Sequence, residues 1–507
     1  MACPDLPVVA GVLAILSIAL LAIAVPGVTI GFDFEKSYNE GWNAYQAARA
    51  AAGQVLYNGD PARLVNYPFL SFYIIAWLKP LFGNVLLIGR GLNALSFAMT
   101  GVLSALIVRR LGGSGIGMLF GAACTLAFQS IQAQTWIAVD EPQMLAEALM
   151  LGGLLCYVSG PRTFCRLAGS ALLFAAGGFV KQLLIAIPFA VTLDVLGNDR
   201  RRFVVWCLCG ALAIIAFSAL SSLVAGGDFW SEIFTPRIYH WSRLPYHGRK
   251  LLIAFKWPLV ASLVYWLRSP PPRYAALMRG YGAAALLSGV VLSGMDGVAS
   301  NIFLDFTVFM GMTCGLALER WRRALRGRAS GALAGAALPA LLALPVLTRL
   351  LPSLHPLFNF AATMQDCRDQ EADFQKAKAF LRVQTGAVLC ENLLLCLESG
   401  KPLLVDPFNL RGEVLVGRVS QAAMTGEIAR LRFRIIELPT YVYERAHPGQ
   451  FTPYLLEQAR FTEDTLKAIG ASYAPRFRTD HAVFLFPRPD TPQDQASAHI
   501  VAPVPRD

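Results

Sequence analysis

Apolar and polar stretches alternate along most of this chain on the length scale of a lipid bilayer. The first apolar run, from Val8 to Ile30, is long enough to cross the hydrocarbon core as one helix. Further apolar stretches follow it at 85–108, 113–135, 142–158, 167–180, 183–197, 203–225, 251–267, 274–293, 301–318 and 331–350. The pattern predicts a polytopic α-helical membrane protein with about eleven transmembrane helices.

One more stretch, Phe69–Gly83, is apolar but short, and Lys79-Pro80 interrupts it. Its length is more typical of an interfacial or re-entrant segment than of a span. We therefore do not include it among the spans.

Arginine clusters orient the predicted spans. They fall on every second connection, at 109–110, 161–166, 199–202, 268–273 and 319–328. Short loops enriched in Lys and Arg are the cytoplasmic ones. The loops 31–84 and 226–250, the turns at Asp140 and at 294–300, and the C-terminal tail are therefore predicted on the opposite, outer face. The basic residues of loop 226–250 break this rule and suggest an anionic ligand.

Composition excludes two classes of protein. Of the 507 residues, 55% are hydrophobic and 15% are charged, whereas soluble domains carry about 25% charged residues. This deficit excludes a soluble enzyme. The formal net charge of +11 raises nucleic-acid binding, but apolar spans separate the arginine clusters, so they form no continuous basic face. We expect no nucleic-acid partner.

The composition becomes that of a soluble protein from Pro352 onward. Helix-period segments at 371–384, 420–431, 453–460 and 463–469 alternate with short apolar runs at 387–390, 403–405, 434–438 and 482–486. This alternation predicts an α/β domain over residues 352–490, after a membrane domain over residues 1–351. Residues 491–507, rich in Pro, Asp, Gln and Ala, are predicted to be disordered.

Three cysteines lie in this tail: Cys367, Cys390 and Cys396. An oxidising compartment outside the cytoplasm permits a disulfide between two of them. All three cannot pair within one chain.

The first outer loop carries the acids Asp33, Glu35 and Glu40. Glu40 precedes a helix-like run at Ala44–Ala52, where it is either a carboxylate that complements the helix dipole or a general base at the membrane boundary. Asp33 is either a solvated loop acid, a support for the base, or a ligand for a divalent cation. Because the acids lie in the same loop, we favour a catalytic role for Glu40.

Polar residues in two later turns are predicted on the same face. Asp140-Glu141 is explained either by capping of the next helix or by acids that face the same cavity as Glu40. Lys181 interrupts an apolar stretch between two short spans. It is either a snorkelling lysine or a functional cation that holds a phosphate.

Two more outer segments carry candidate binding residues. In loop 226–250, arginines match phosphate oxygens and aromatic residues suit sugars or an isoprenoid chain, although an interfacial aromatic belt explains the same composition. The candidates in this loop are Arg237, Tyr239, His240 and Arg243. Asn301 and Asp305 are four residues apart and share a helix face, either as a structural pair or as part of a substrate site.

In this order, the motifs resemble the GT-C superfamily of integral-membrane glycosyltransferases, in particular the bacterial relatives of protein O-mannosyltransferases and lipid A aminoarabinose transferases. The resemblance covers Val8 to about Leu350. It rests on NEGWNAYQAARAAAGQVLY, NYPFLSFY, GR-x-LNALS at Arg90, VDEPQ, GGFVKQ and the GxxxN…D turn over Gly297–Asp305. One departure is that the family often has a paired acid in the first loop, whereas here Asn39 precedes Glu40.

The resemblance implies transfer of a hexosyl or pentosyl group from a polyprenyl-phosphate-linked donor to a hydroxyl of a lipid, glycan or protein acceptor, with inversion. It places the reaction at the periplasmic face of the bacterial inner membrane and the C-terminal domain in the periplasm. The expected base is Glu40 with Asp33 beside it, and Mg²⁺ or Mn²⁺ is an optional cofactor. The residues expected to bind substrate are Arg90, Asp140, Glu141, Lys181, Arg237, Tyr239, His240, Arg243, Asn301 and Asp305.

Two other functions compete with this one. A transporter or flippase for lipid-linked sugars usually shows internal repeats and polar residues near mid-membrane. Here no repeat is found and the polar residues cluster at one face, which favours the transferase. A catalytically inactive lipid-binding scaffold is the third reading, because one acid of the usual pair is absent.

Overall fold

A computed structural model describes residues 6–268, 274–325, 348–349, 351–446, 449, 451–452, 456 and 460–489. Helices dominate the part before residue 326. They are α1 Leu6–Val28, α2 Tyr38–Ala51, α3 Leu70–Phe82, α4 Val85–Arg110, α5 Gly115–Ala133, α6 Gln143–Val158, α7 Phe164–Val180, α8 Ala186–Asn198, α9 Arg200–Val224, α10 Phe229–Ile233, α11 Arg243–Arg268, α12 Ala275–Leu292 and α13 Leu304–Leu325.

Within the described residues, seven helices are long and apolar enough to cross a membrane, and four shorter apolar helices accompany them. Ten of the predicted spans coincide with helices, whereas the stretch 331–350 lies almost entirely outside the described residues. In the apolar part of the helical segment Ser300–Ala324, which contains α13, 89% of the residues are buried. In the apolar part of α9 only 11% are buried. Thus α13 lies at the centre of the bundle, and α9 lies at its edge with an apolar surface turned outward.

Close packing of α5 against α13 depends on glycine. A Cβ atom added to Gly315 of α13 would lie 2.5 Å from the carbonyl oxygen of Gly117 and 2.9 Å from the Cα atom of Gly121, both in α5. Small residues allow two helix backbones to approach in this way, which is a common means of helix association in membranes. A side chain at Gly315 would push the two helices apart.

Two helices of the first outer loop differ from the expectation. The helix α2 begins at Tyr38, six residues before the predicted start at Ala44, so Glu40 lies inside its first turn. The stretch predicted at Phe69–Gly83 forms the single helix α3, and Lys79-Pro80 lies inside it rather than ending it.

The C-terminal part is a small α/β unit, and the expected mixture of helices and short strands is present. Its helices are α14 His355–Phe358, α15 Phe360–Arg382, α16 Leu393–Glu398, α17 Pro407–Leu415, α18 Gln421–Ala429, α19 Thr440–Ala446 and α20 Glu463–Ser472. Its strands are β1 Val388–Cys390, β2 Ile435–Pro439, β3 Tyr473–Arg478 and β4 Ala482–Pro487, in the order β1-β2-β4-β3. The pair β1–β2 is parallel, and the other two pairs are antiparallel.

Several predictions for this part need correction. The run 403–405 is not a strand, and 371–384 is only the end of the longer helix α15. The strand β3 was not predicted, because its alternation is weak. The predicted helix 453–460 and the tail 491–507 lie mostly or wholly outside the described residues.

The α/β unit packs directly on the first outer loop. A Cβ atom at Gly41 of α2 would lie 2.5 Å from the backbone nitrogen of Leu394 in α16, so only glycine permits this contact. A disulfide between Cys390 and Cys396 encloses the start of α16, and Cys367 is free. The α/β unit is therefore fixed beside α2.

Candidate active site

Glu40 is fully buried, and four N–H groups surround its carboxylate. Oε1 accepts a hydrogen bond from Nε of Arg90 at 2.7 Å, and Oε2 accepts one from Nη2 at 2.8 Å. The backbone N–H groups of Lys36 and Asp140 donate to Oε2 and Oε1 at 2.7 and 3.0 Å. A buried carboxylate with a bidentate guanidinium and two amide donors has its acceptor positions filled.

Arg90 of α4 is as deeply buried as Glu40. Beyond the ion pair, its Nη1 donates to the carbonyl oxygens of Ile30 and Phe32 at 2.9 and 2.6 Å, and its Nη2 donates to that of Phe34 at 2.7 Å. Arg90 thus joins α4 to α2 and to the first loop. It does not line the cavity described below, so its position does not support the expected contact with a leaving phosphate.

Asp33 faces the α/β unit. Its Oδ2 accepts hydrogen bonds from Nε2 of Gln375 at 2.8 Å and from Nζ of Lys378 at 2.9 Å, both in α15. Its backbone N–H donates to Glu371 of the same helix at 2.6 Å. These contacts attach the first loop to α15, and they are not the support for Glu40 that the sequence suggested.

The turn between α5 and α6 places its two acids in different surroundings. The Asp140 carboxyl lies against Gly89 of α4, and its Oδ2 is buried without a partner among the described residues. Burial, followed by the charge of Glu40, raises the pKa of Asp140 well above its usual value. The expected cap comes from Glu141 instead, whose Oε2 accepts the N–H of Gln143 at 2.7 Å.

Lys181 lies where α7 ends, as the interruption of the apolar stretch predicts. Its Nζ donates to Oε1 of Glu141 at 2.7 Å and lies 3.6 Å from the centre of the Tyr67 ring. Both partners are almost fully buried. The ammonium group is therefore held by one carboxylate and one aromatic face.

Of the residues described so far, Lys181, Tyr67 and Gln143 line a cavity of about 280 Å³ whose wall is partly polar and partly apolar. Its wall combines the first turn of α2, the segment before α3, and the connections α5–α6, α7–α8, α10–α11 and α12–α13. The polar side chains that line it include Asn39, Tyr67, Gln143, Lys181, Arg237 and Asn301. The described wall contains no carboxylate-bearing residue.

Arg237, in the connection between α10 and α11, supplies positive charge to this cavity. Among the described residues, no hydrogen bond or ion pair engages its guanidinium group, unlike that of Arg90. A guanidinium group at a cavity wall that makes no direct hydrogen bond to the described residues is suited to bind an anion, and its planar fork matches phosphate oxygens.

An apolar groove adjoins the cavity. It has a volume of about 580 Å³ and is lined by side chains from α7, α8, α9 and α10. Gln182, Ile233 and Phe234 line both the cavity and the groove. The two spaces therefore meet at the end of α7 and the end of α10.

Tyr239, His240 and Arg243 gather around the turn after α12 instead of lining the cavity. The Tyr239 hydroxyl donates to the carbonyl oxygen of Val291 at 2.8 Å. The Arg243 guanidinium and the His240 ring lie 3.3 and 3.6 Å from Oδ1 of Asp296, while Arg411 of α17 reaches its Oδ2 at 3.0 Å. These residues hold the connection before α11 in place.

Asn301 and Asp305 have separate partners. Asn301 lines the cavity. Its Nδ2 donates to Oε1 of Gln143 at 2.7 Å, and Nε2 of Gln143 donates to the backbone carbonyl oxygen of Asn301 at 2.8 Å. Asp305 accepts the hydroxyl of Tyr281 at 2.6 Å, one helical turn deeper. The geometry therefore supports a binding role for Asn301 and a structural role for Asp305.

A divalent cation does not fit the acids present. Within the described residues, no group of three or more His, Cys, Asp or Glu side chains is placed to hold a metal ion. Asp33, the acid considered as a ligand, already has Lys378 against it at 2.9 Å, and Glu40 and Glu141 are likewise paired with Arg90 and Lys181, each at 2.7 Å. No step is assigned to a metal here.

Sequence reasoning missed most residues of the cavity wall, among them the polar residues Asn39, Tyr67 and Gln143. A helix that begins at Tyr38 turns consecutive side chains about 100° apart, so Glu40 points to Arg90 while Asn39 faces the cavity. The sequence analysis started the helix at Ala44, so the helical positions of Asn39 and Glu40 were not recognised. Tyr67 stands in the NYPFLSFY motif, but nothing local marks it as the neighbour of Lys181.

No family model matches the sequence, and no curated protein sequence matches it. The fold is shared with solved membrane proteins. ArnT from Cupriavidus metallidurans superimposes with a TM-score of 0.62 in the apo state, at 12% identity over 92% of this chain and 96% of that chain. Its complex with undecaprenyl phosphate gives 0.61, at 13% identity over 94% and 98%.

A third solved structure is less similar but matches nearly the whole length of this chain. The Archaeoglobus fulgidus oligosaccharyltransferase, tethered to an acceptor peptide, superimposes with a TM-score of 0.55 at 10% identity, over 97% of this chain and 76% of that chain. The chain therefore shares its fold with ArnT and with this oligosaccharyltransferase, in agreement with the fold that its motifs predicted. At these identities the likeness shows the fold, and the function rests on the site.

Proposed function

We propose that this protein is a membrane glycosyltransferase that takes a sugar from a polyprenyl-phosphate-linked donor and moves it to an acceptor at the outer face of the membrane. The proposal rests on one observation: the cavity lined by the cations Lys181 and Arg237 adjoins an apolar groove. An amphiphile with an anionic head group and a long hydrocarbon tail matches both spaces at once. A neighbour with this fold binds undecaprenyl phosphate, which supports the same class of ligand.

The cations of the cavity have a direct chemical task. In an inverting displacement the acceptor oxygen forms a bond to the anomeric carbon while the bond from that carbon to the phosphate oxygen breaks. The electron pair of the broken bond stays on the phosphate, which gains negative charge. We propose that Arg237 and Lys181 stabilise that charge, since donors placed where charge develops lower the barrier.

The acceptor has to lose a proton in the same reaction. The assignment of Glu40 as the general base stays a prediction, because catalytic hydrogen bonds often rearrange when substrate binds. In the present geometry its carboxylate holds Arg90 and two backbone amides. We propose that Glu40 maintains the first turn of α2, which presents Asn39 to the cavity.

The outer face is proposed to be the periplasm of a bacterial inner membrane. The cavity is built from connections that alternate along the chain with the arginine-rich ones, so the two sets lie at opposite ends of the helices. The α/β unit on the cavity side contains the Cys390–Cys396 disulfide, which is typical of an oxidising compartment. The sequence predicts about eleven spans, and an odd number of spans puts the C-terminal unit on the face opposite to the N-terminus.

The test is transfer of radiolabelled sugar from polyprenyl-phosphate donors by the purified full-length protein, with a membrane extract as acceptor. Binding of undecaprenyl phosphate is measured in parallel. Arg237→Gln is expected to weaken binding by about tenfold or more, since a charge-assisted hydrogen bond to phosphate is removed. Arg249→Gln is the matched control, because Arg249 lies in the neighbouring helix with an exposed side chain.

Each outcome separates the proposed function from its competitors. Labelled product that depends on Arg237 and not on Arg249 supports the transferase. Saturable lipid binding without product from any donor identifies a scaffold. Movement of the lipid-linked sugar across a vesicle membrane without transfer identifies a transporter.

A further inference from the structure

A buried carboxylate of the α/β unit reaches into the first turns of α2. Asp406 precedes α17, and none of its surface is exposed. Its carboxylate accepts hydrogen bonds from the Tyr38 hydroxyl and the Trp42 indole N–H, each at 2.6 Å. The backbone N–H of Asn409 also donates to it, at 3.2 Å, as in an ordinary N-cap. A cap does not need the two bonds to α2, so those bonds require another explanation.

Trp42 continues this contact toward the cavity. Its ring meets the Tyr67 ring edge-on, with 5.0 Å between the ring centres and 74° between their planes. The Tyr67 ring in turn contacts Lys181, whose ammonium group lies 3.6 Å from the centre of that ring. A continuous series of contacts therefore runs from Asp406 through Trp42 and Tyr67 to the ammonium group at the cavity wall.

Each step of this series depends on orientation. Tryptophan has a single N–H, so a carboxylate that binds it selects one rotation of the indole ring. An edge-to-face pair fixes the plane of the second ring, and a cation is attracted to the face of a ring but not to its edge. Lysine has a long flexible stem, so its ammonium position depends on such restraints.

We infer that Asp406 is a positioning residue for Lys181, acting through Trp42 and Tyr67. The α/β unit is thus part of the anion site and not only an appended acceptor-binding module. This inference rests on the proposed function in so far as Lys181 binds the donor phosphate. Burial raises the pKa of the Tyr38 phenol well above its usual value, so Tyr38 remains a donor to Asp406 at neutral pH.

The test uses variants that separate positioning from docking. Trp42→Phe keeps the aromatic ring and removes the N–H, and Asp406→Asn keeps the size of the side chain and removes its charge. The matched control is Asp373→Asn, since Asp373 is also a buried carboxylate of the α/β unit, and the hydrogen bonds it accepts from described residues come from Thr479, Asp480 and His481 of the same unit. The full-length protein is used throughout.

Three readouts are compared: thermal stability, the Kd for undecaprenyl phosphate, and the rate at which an amine-acylating reagent modifies Lys181, followed by mass spectrometry. Trp42→Phe and Asp406→Asn are expected to raise Kd by about tenfold, the upper range of one cation–π contact, and to speed modification of Lys181 several-fold. In the transfer assay KM is expected to rise more than kcat falls. Asp373→Asn is expected to lower stability without changing Kd or Lys181 reactivity.

Two results would overturn the inference. One is unchanged Lys181 reactivity in both Trp42→Phe and Asp406→Asn. The other is an equal change in Asp373→Asn at the same loss of stability. If the wild-type protein neither binds the lipid nor transfers sugar while Lys181 reactivity still rises in the two variants, the proposed function fails and the positioning role of Asp406 stands.

Discussion

Both carboxylate oxygens of Glu40 are paired with the guanidinium group of Arg90, at 2.7 and 2.8 Å, and neither side chain is exposed. Because Arg90 also binds three carbonyl groups of the first loop, one ion pair connects α4, α2 and that loop. The Glu40–Arg90 pair is therefore turned inward between these elements, whereas Lys181 and Arg237 are the cationic side chains that line the cavity.

Glu40→Gln is expected to destabilise the protein, because it leaves the Arg90 guanidinium buried without a counter-charge. Removing one partner of a buried pair costs about 3–5 kcal/mol. The measurement is the unfolding temperature of the purified protein. Glu463→Gln is the control, since Glu463 pairs with Lys467 on the surface, where solvent screens the interaction and its loss changes stability little. A Glu40→Gln protein that is as stable as wild type but inactive in transfer would identify Glu40 as the base after all.

Lys181→Met is expected to lower stability and abolish tight binding of lipid phosphate. The stability loss arises because Glu141, almost fully buried, would lose its cation. The double variant Lys181→Met/Glu141→Gln is expected to recover most of the stability, because the unpaired charge is gone, yet to bind undecaprenyl phosphate as weakly as the single variant. Unfolding temperatures and Kd values of the single and double variants test this. Wild-type affinity in the double variant would remove Lys181 from the binding site.

Filling the apolar groove is expected to weaken lipid binding without harm to folding. A Cβ atom at Gly178 of α7 would meet no atom within 4 Å, and Gly178 lines the groove. Gly178→Leu therefore puts a side chain into space that we assign to the hydrocarbon tail, while leucine favours the helix by up to about 1 kcal/mol over glycine.

The control for the groove is Gly197→Leu in α8, where a Cβ atom also meets nothing within 4 Å and the residue does not line the groove. Undecaprenyl phosphate affinity is expected to fall several-fold for Gly178→Leu and to stay unchanged for Gly197→Leu. Equal affinity of both variants would contradict the placement of the tail.

Stability is expected to decrease as the pH rises from about 5 to about 8. Burial raises the pKa of Glu35 from 4.5 to about 8 and that of Glu437 from 4.5 to about 7. Between these values the folded protein binds more protons than the unfolded chain, so each rise in pH favours unfolding. The stability that protonated Glu35 and Glu437 contribute is fully present below pH 4.5 and is lost as the pH rises through about 7 to about 8.

Unfolding temperatures measured at steps across this pH range test the dependence. Glu35→Gln, which stays neutral, is expected to flatten the curve, and the surface variant Glu463→Gln is expected to leave its slope unchanged. A slope as steep in Glu35→Gln as in wild type would show that Glu35 does not titrate in this range.

The membrane helices could be predicted because apolar runs of the right length report burial in a bilayer locally, without reference to the rest of the chain. The break at Lys181 was recognised for the same reason, and the structure shows α7 ending there. The start of α2 at Tyr38 could not be recognised, because the first turns of this helix bury polar side chains such as Glu40 and Asn43. They therefore lack the apolar periodicity that marks a helix in a sequence. Strand β3 was missed because it has one buried residue at its start and no clear alternation.

The sequence by itself determined the class of fold and the alternation of arginine-rich connections with those that carry the candidate site residues, from which the outer face is predicted. Those properties follow from hydrophobicity and charge counted along the chain. Only the tertiary structure decided which partner each acid takes: Glu40 meets Arg90 fifty residues away, Asp33 meets Lys378 after 345 residues, and Trp42 meets Asp406 after 364. Such pairings join side chains that are far apart in the chain, and for that reason only the folded protein shows which charges are paired internally and which line the cavity.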